Sequence, residues 1–532
     1  MNDKNVISRN ELNKIIWKAA TDFVHGGKVA AWDFKEYFLG IMFYRFISEN
    51  IENYINENQW KYGMKDFQYR NISDEEAVHG KSQILEEKGL FILPSELFCN
   101  VRLRAKNDEN LNVTLYNIFN NIEASAQGTP SENDVKGLFD NIDVNSVKLG
   151  ETVIERNENL ARLLNVIGEL PLGNYKDNTI DVFGDAYEYL MNMYAGTAGK
   201  KGGEFFTPQE VGELLARIVI DGKQSVNKVY DPCCGSGGLL LKFAKILGIE
   251  NVKNGFYGQE INLTTYNLAR INMFLHDINY NKFNLAREDT LMKPAHWDEE
   301  PFDAIVSNPP YSVPWQGKSN PLLINDERFA PAGVLAPESK ADLAFTMHML
   351  SWLSPKGTAA IVEFPGVLYR GGAEQKIRKY MIDNNFIDTI IQLPAGLFFG
   401  ASISTCIIVL KKNKTDNNIL FIDATEECVP NRNKMKNGTN INILSDSNIE
   451  NIYNLFKGRT TIESKSYLAT YEEVKENNYN ISVNSYIKSI GPGIEINIEK
   501  VNKLLSEVVP KQQQIRDELE KIIRELESDY HE

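Results

Sequence analysis

The strongest limit on how this chain folds is set by eight residues near its middle, Asp231-Pro232-Cys233-Cys234-Gly235-Ser236-Gly237-Gly238. A β-branched run leads into Asp231, and the apolar stretch 239–247 that follows has helical spacing. Glycine carries no Cβ, so the backbone between the two can turn tightly and come close to a ligand. Strand, glycine loop and helix in that order form one crossover of a parallel sheet, with the loop facing a nucleotide-like ligand. The surrounding texture agrees. From about Asp181 to Lys412, apolar runs alternate with helical patterns, the mark of an α/β domain. The predicted strands are 228–230, 256–259, 302–307, 358–363, 388–392 and 404–410. The last two, joined through 393–403, could instead be an antiparallel hairpin closing the sheet edge. The expected fold is α/β and Rossmann-like.

The loop's chemistry narrows its ligand. No Lys follows the glycines, which disfavours a P-loop, and their spacing is not the G-x-G-x-x-G of dinucleotide binding. S-adenosylmethionine remains the natural expectation, held by Asp231, Gly235, Ser236, Gly237 and Gly238. Glu260 closes Phe256-Tyr257-Gly258-Gln259-Glu260 about 23 residues after Gly237, where an acidic residue grips ribose hydroxyls. Asp289, after a short apolar segment, is placed to accept a hydrogen bond from the cofactor's adenine amino group. Upstream, Glu204-Phe205-Phe206-Thr207-Pro208-Gln209-Glu210 precedes the helical stretch 211–220. Thr207 and Glu210 would make a capping box, with Pro208 at the first helical position. Capping accounts for those three residues but not for Phe205-Phe206 behind the Gly- and Lys-rich loop 196–203, so Glu204 to Gln209 join the expected cofactor site. A Pro-Cys pair can mark the nucleophile of cytosine-C5 methylation. Inside a cofactor loop a small residue suffices, and Cys233 and Cys234 are assigned no catalysis.

The second motif is Asn308-Pro309-Pro310-Tyr311, at the end of the apolar run Asp303-Ala304-Ile305-Val306-Ser307. Two prolines fix φ and remove two N–H donors, leaving a stiff turn with rigid carbonyls. The Asn308 side-chain oxygen and the Pro309 carbonyl can then accept both hydrogens of one exocyclic NH₂ group. That helps draw the nitrogen lone pair out of ring conjugation and aims it at the sulfonium methyl. Catalysis would come from positioning and preorganised dipoles, with no covalent intermediate. Tyr311 would stack on a base extruded from the duplex. Downstream, Leu393-Pro394-Ala395-Gly396-Leu397-Phe398-Phe399-Gly400 carries two aromatics, of which Phe398 is the candidate second wall. The Pro-rich stretch 312–340 is long enough to be a lid or binding loop.

Three segments follow from this pattern: a helical domain over 1–165, the catalytic domain over 166–430 and a C-terminal segment over 431–532. In the first, Leu12, Ile15, Ile16, Ala19 and Phe23 share one helix face, and a second helix begins near Asp33 after the turn His25-Gly26-Gly27. Thr129-Pro130-Ser131-Glu132 reads as a helix start. In the last, Ile498, Val501, Leu505, Val508, Ile515, Leu519, Ile522 and Leu526 follow three- and four-residue steps, with Gln512 in the one gap. This heptad seam suits docking on another chain, or an amphipathic helix lying on its own domain. Pro510 should kink or split it. Five scattered cysteines make neither a disulfide framework nor a zinc site, and the N-terminus lacks a signal peptide's apolar core. No apolar stretch is long enough to span a membrane, and a reducing cytoplasm is expected.

Charge bears on the substrate. With 57 basic against 72 acidic residues, net charge is −15. Duplex affinity comes mainly from neutralised phosphates, so a chain this acidic is expected to bind DNA poorly alone unless its basic residues cluster on one face, and a partner would supply much of the grip and the sequence reading.

Together, 204–208, Asp231 to Gly238, Asn308 to Tyr311, Ser339-Lys340-Ala341-Asp342 and 393–399, in that order, resemble the modification (M, or HsdM) subunits of type I restriction–modification systems. The resemblance spans most of the chain, including the N-terminal helical segment. It implies N6-adenine methylation of DNA, and a complex of two such subunits with one DNA-specificity subunit, which a restriction subunit can join. It also implies that the helical domain lies near DNA and that the C-terminal helices meet the specificity subunit. Three other readings compete. A glutamine amide in a protein also offers a planar NH₂ group; the Phe-Phe-Thr-Pro element, the long loop and the heptads argue against it. A self-sufficient DNA methyltransferase would need a recognition domain that the short, non-basic segment after 413 does not supply. A scaffold that only senses cofactor would leave the tetrapeptide unused.

Overall fold

The computed structural model describes residues 31–172, 207–398, 404–430, 442–487 and 510–519, with a few isolated positions besides; side chains of 31–35 are excepted. The chain divides into two units, Met1–Ile487 and Lys488–Glu532.

The first unit is built on a nine-stranded sheet. Its strands are β1 (Val229–Asp231), β2 (Phe256–Gln259), β3 (Phe283–Ala286), β4 (Phe302–Ser307), β5 (Leu353–Glu363), β6 (Ile387–Gln392), β7 (Cys406–Lys411) and β8 (Ile419–Asp423). Val429–Pro430 and Asn442–Ile443 form a separate small pair (β9, β10), and Ser466–Ala469 (β11) returns to the large sheet. The order across the sheet is β3-β2-β1-β4-β5-β7-β6-β8-β11, with its first five strands parallel. The order turns back at β1, so the ends of β1 and β4 open the crevice where α/β sheets bind ligands.

Burial explains the layering. Along β5, Ala359 and Ile361 face one apolar core while Ala360 and Val362 face the other, and β7 alternates in the same way. Both faces are therefore covered, which is why these strands read as unbroken apolar runs. One core includes the helices Gln209–Val219, Gly238–Leu247 and Leu263–Leu275; the other includes Asp342–Trp352 and Ala373–Asp383.

All six predicted strands are present, shifted by a few residues at their ends. β6 and β7 pair antiparallel, as the hairpin alternative requires, but they do not close the edge. β7 lies between β5 and β6, and β6 continues in parallel to β8. The reason is burial: residues 406–410 are all buried, which demands a neighbour on each side. β3 escaped the sequence reading because Asn284 interrupts a four-residue strand at the sheet edge. β11 lies beyond the boundary expected at 430 and pairs antiparallel with β8, covering its outer edge.

The N-terminal segment is helical, with long helices at Ala31–Lys61, Leu111–Ser125 and Val153–Glu169, and a short one begins at Glu132. Its residues share a core with the sheet's helices. Arg270, 2% exposed, donates from Nη1 to the carbonyls of Asn133 (3.0 Å) and Lys136 (2.7 Å), and Asn267 Nδ2 donates to Gly137 O at 2.9 Å. Leu12, Phe23 and the turn at His25-Gly26-Gly27 lie outside the described residues. Among the described residues no helix is long and apolar enough to cross a membrane.

In the second unit, 510–519 is helical, and Pro510 itself is part of that helix. Of the heptad residues, Val508, Ile515 and Leu519 are exposed, while Ile498, Val501, Leu505, Ile522 and Leu526 lie outside the described residues.

Candidate active site

β1 ends at Asp231, and the chain turns through Gly235 (φ +54°) and Gly237 (φ +80°) into the helix Gly238–Leu247. Both φ values belong to the left-handed region that glycine enters freely. The loop is held from several sides. Cys234 N–H donates to Gln259 O at 2.9 Å, and Asn272 Nδ2 donates to Ser236 O at 3.0 Å. A Cβ on Gly258 would come within 2.9 Å of Cys234 Sγ, so β2 needs glycine where the loop crosses it. Burial pushes both Cys233 and Cys234 thiols well above their ordinary range, which keeps them protonated and unreactive.

Three carboxylates surround the loop. Asp231 Oδ1 accepts from Cys233 N–H and from Ser307 Oγ, each at 3.0 Å. Its Oδ2 is buried without a partner, and burial raises its pKa to about 7. Glu260 Oε2 accepts from Gly235 N–H (3.1 Å) and Oε1 from Asn262 N–H (2.8 Å). Burial raises its pKa as well, against the pull of those N–H groups. Asp289 Oδ1 caps a turn by accepting from Leu291 N–H at 3.0 Å.

The tetrapeptide leaves β4 one strand away. Asn308 Nδ2 donates to Thr207 Oγ1 at 3.0 Å, and the Tyr311 hydroxyl donates to Asn308 Oδ1 at 2.5 Å. The Asn308 amide is thereby fixed, with its oxygen as the acceptor. The capping box expected of Thr207 and Glu210 does not form. The helix Gln209–Val219 has Pro208 as its N-cap and no side-chain cap bond. Thr207 turns its hydroxyl to Asn308 instead, a contact across 101 residues that no local pattern reveals.

A cavity of about 550 Å³ joins these parts, a size ordinary for a small-molecule site. Of the predicted residues, Thr207, Asp231, Gly235, Ser236, Gly238, Glu260, Asp289, Asn308 and Pro310 line it. Gly237 turns behind it, packed against Met273, and Pro309 is buried beneath the turn. Pro208 caps the neighbouring helix and Gln209 begins it; neither lines the cavity, nor does Tyr311 in the catalytic turn. Phe398 is 3% exposed in the apolar core, with no open face for a base. Glu204, Phe205, Phe206 and Phe399 lie outside the described residues.

The sequence reading missed the cavity's aromatic wall. Val313, Pro314, Trp315 and Gln316 line the cavity from the stretch 312–340. Trp315 is held by Nε1–H donating to Pro337 O at 3.1 Å and by an edge-on ring contact with Phe329. Its signal was present: a lone Trp between prolines four residues after Tyr311. The stretch is anchored by Arg328, 2% exposed, which donates to Thr290 O (2.9 Å) and Leu291 O (2.7 Å), beside Asp289.

These residues fit S-adenosylmethionine. Asp231 Oδ2 offers an unpartnered buried carboxylate oxygen to a cationic ligand, and the glycine loop brings backbone close without a Cβ. Among the described residues no cluster of three or more His, Cys, Asp or Glu side chains could hold a metal.

The chain is similar to known proteins. The family model for the N-6 DNA Methylase matches residues 178–491, and that for the HsdM N-terminal domain matches 12–167. The Type I restriction enzyme MpnII methylase subunit of Mycoplasma pneumoniae is 45% identical, over 100% of this chain and 99% of that one. The MjaVIII methylase subunit of Methanocaldococcus jannaschii is 31% identical, over 70% and 66% respectively. The crystal structure of a type I restriction-modification system methyltransferase subunit from Streptococcus thermophilus superposes with a TM-score of 0.81 at 33% identity, over 90% of this chain and all of that one. With its methyltransferase sheet, its glycine loop and its Asn-Pro-Pro-Tyr turn, the chain belongs to the N-6 DNA methylase family, as a type I restriction–modification methylase (HsdM) subunit that methylates adenine N6 in DNA with S-adenosylmethionine.

Proposed function

We propose that the chain is the catalytic subunit of a larger assembly and that Asn308, Pro309, Pro310 and Tyr311 act directly on the target adenine. The observation that carries this is the fixed Asn308 amide at the cavity shared with the glycine loop. Asn308 Oδ1 can accept one hydrogen of the adenine amino group, and the Pro309 carbonyl the other. Thr207 holds the amide so that the oxygen, not the nitrogen, faces the substrate. When bound, S-adenosylmethionine supplies an electrophilic methyl group on its sulfonium. Asp231, Gly235, Ser236, Gly237 and Gly238 would hold its amino-acid end, Glu260 its ribose hydroxyls and Asp289 its adenine amino group, with Glu204 to Gln209 beside them. Tyr311 and the wall at Trp315 would flank an adenine extruded from double-stranded DNA. Phe398, placed in the core, would support the neighbouring turn from behind.

The partners follow from charge and from the C-terminal seam. A net charge of −15 suits a subunit whose grip on DNA comes from a DNA-specificity subunit. The exposed Val508, Ile515 and Leu519 suit helix docking on that subunit. A second copy of this chain and a restriction subunit would complete the complex, in the cytoplasm. The test is methyl transfer from labelled cofactor to duplex DNA, with and without the co-expressed specificity subunit. Site-specific labelling only with the partner supports the assignment. Robust site-specific labelling by the lone chain contradicts it.

A further inference from the structure

The stretch Ser339-Lys340-Ala341-Asp342 has no part in the chemistry above, yet it ends in a buried acid against the catalytic turn. Asp342 opens the helix Asp342–Trp352 and is 1% exposed. Its Oδ1 accepts the backbone N–H of Ser312, the residue after Tyr311, at 3.0 Å. Ser312 sits at φ +52°, a left-handed conformation that residues other than glycine keep only when their surroundings enforce it. Asp342 is the group that enforces it, and it thereby sets the direction in which the chain leaves Tyr311.

A second acid stands beside it. Glu363 ends β5, and the register Ser307↔Ile361 on the parallel strand β4 brings Glu363 level with Pro309. It is fully buried, and its Oε1 accepts from Thr346 Oγ1 at 3.0 Å, one turn along the helix that begins at Asp342. Glu363 Oε2 and Asp342 Oδ2 are both buried without a partner. Native structures rarely leave such groups unpaired without a reason. Burial and then the neighbouring Asp342 push the Glu363 carboxyl well above its ordinary range, and both acids act electrostatically on the Tyr311 phenol. That phenol is bonded to Asn308 Oδ1, the very atom the substrate must reach.

We infer that Asp342 and Glu363 are positioning residues for methyl transfer, bracing the turn at 308–311 from behind and receiving the Tyr311 hydroxyl on their unfilled oxygens when the target amino group engages Asn308 Oδ1. The inference rests on the role given to Asn308. It predicts that Tyr311 exchanges one hydrogen bond for another during the reaction, so that the catalytic oxygen is released without leaving a buried hydroxyl unpaired.

The test uses the full chain with its specificity subunit, reading single-turnover methylation of duplex DNA and, separately, cofactor affinity by calorimetry. Asp342→Ala should slow transfer by about 10- to 100-fold, the cost of a small misplacement of a reacting group, with cofactor affinity unchanged. Asp342→Asn keeps an oxygen for Ser312 N–H and should recover most of the rate. Glu363→Gln should slow transfer in the otherwise native chain and have no further effect in a Tyr311→Phe background, because it acts through that one hydroxyl. Multiplying effects, an unaffected Glu363→Gln, or a matching loss of cofactor affinity would overturn the inference. If Asp342→Ala fails to fold, the isosteric Glu363→Gln and Tyr311→Phe cycle decides alone. Asn308→Ala separates the two levels. Lost transfer there with an additive cycle removes this inference only, whereas full activity removes the role of Asn308 beneath it.

Discussion

The two halves of the site meet ligands in different states of readiness. Around the glycine loop, backbone groups are fixed by neighbouring strands and helices, and Asp231 Oδ2 is left buried and unpaired. In the catalytic turn the polar atoms of Asn308 are already used, Nδ2 on Thr207 and Oδ1 under the Tyr311 hydroxyl. The first half is a preformed cradle with an unmet charge, so binding there improves what the empty fold leaves unsatisfied. The second half is closed on itself, and on the inference above it exchanges a bond as it works. A site built this way holds cofactor readily and acts only when a base arrives, which suits an enzyme that waits for its DNA target.

The sharpest break in that contrast is Asn308→Ala. Removing one preorganised polar group from a catalytic centre costs about 100- to 1,000-fold in rate, and methyl transfer should fall by that much while calorimetry finds cofactor affinity unchanged. Asp231→Ala should do the reverse. It removes the unmet charge and strands Cys233 N–H and Ser307 Oγ, an unsatisfied-donor penalty of roughly 1–3 kcal/mol. Cofactor affinity and melting temperature should both drop, with the bound fraction still competent in single turnover. Thr207→Val is a milder probe that frees the Asn308 amide. Losing one neutral hydrogen bond is worth about 0.5–1.5 kcal/mol, a rate loss of roughly two- to tenfold, read in single turnover at saturating cofactor.

The smallest effect is on pH. Asp231 titrates at about 7 in the folded chain and near roughly 4 when unfolded, as an ordinary carboxyl does. Between those values the folded state binds more protons. The contribution of this group to stability is therefore complete below the unfolded value and is lost as pH rises through the folded one. Thermal melts of the cofactor-free chain should show that decline. Affinity for the positively charged cofactor should rise over the same range, since ionised Asp231 then gains a counter-charge. An Asp231→Asn chain should show neither trend.

What the sequence disclosed divides along the same line. The glycine loop and the tetrapeptide are continuous, and each follows an apolar strand, so local pattern sufficed for both. The parallel core was legible for the same reason, since strands buried on both faces stand out as apolar runs. Contacts closed by the fold were not legible. Thr207 looked like a helix cap because its partner lies 101 residues away. Phe398 looked like a substrate wall because its place in the core depends on residues distant in the chain, while Trp315 went unweighed inside a loop. β3 and β11 are short edge strands, four residues each, and edges carry the weakest hydrophobic signal. The N-terminal helices were legible as a helical domain, but their packing on the sheet's helices was not. Their shared core with the sheet, through Arg270 and Asn267, depends on polar side chains that read as surface.

The most direct test of the whole account is the chemical identity of the product. The full chain with its specificity subunit is given labelled S-adenosylmethionine and duplex DNA, and the digested nucleosides are separated by mass spectrometry. The account predicts label in N6-methyldeoxyadenosine alone. Label in N4-methyldeoxycytidine, or in a protein glutamine and not in DNA, would contradict it.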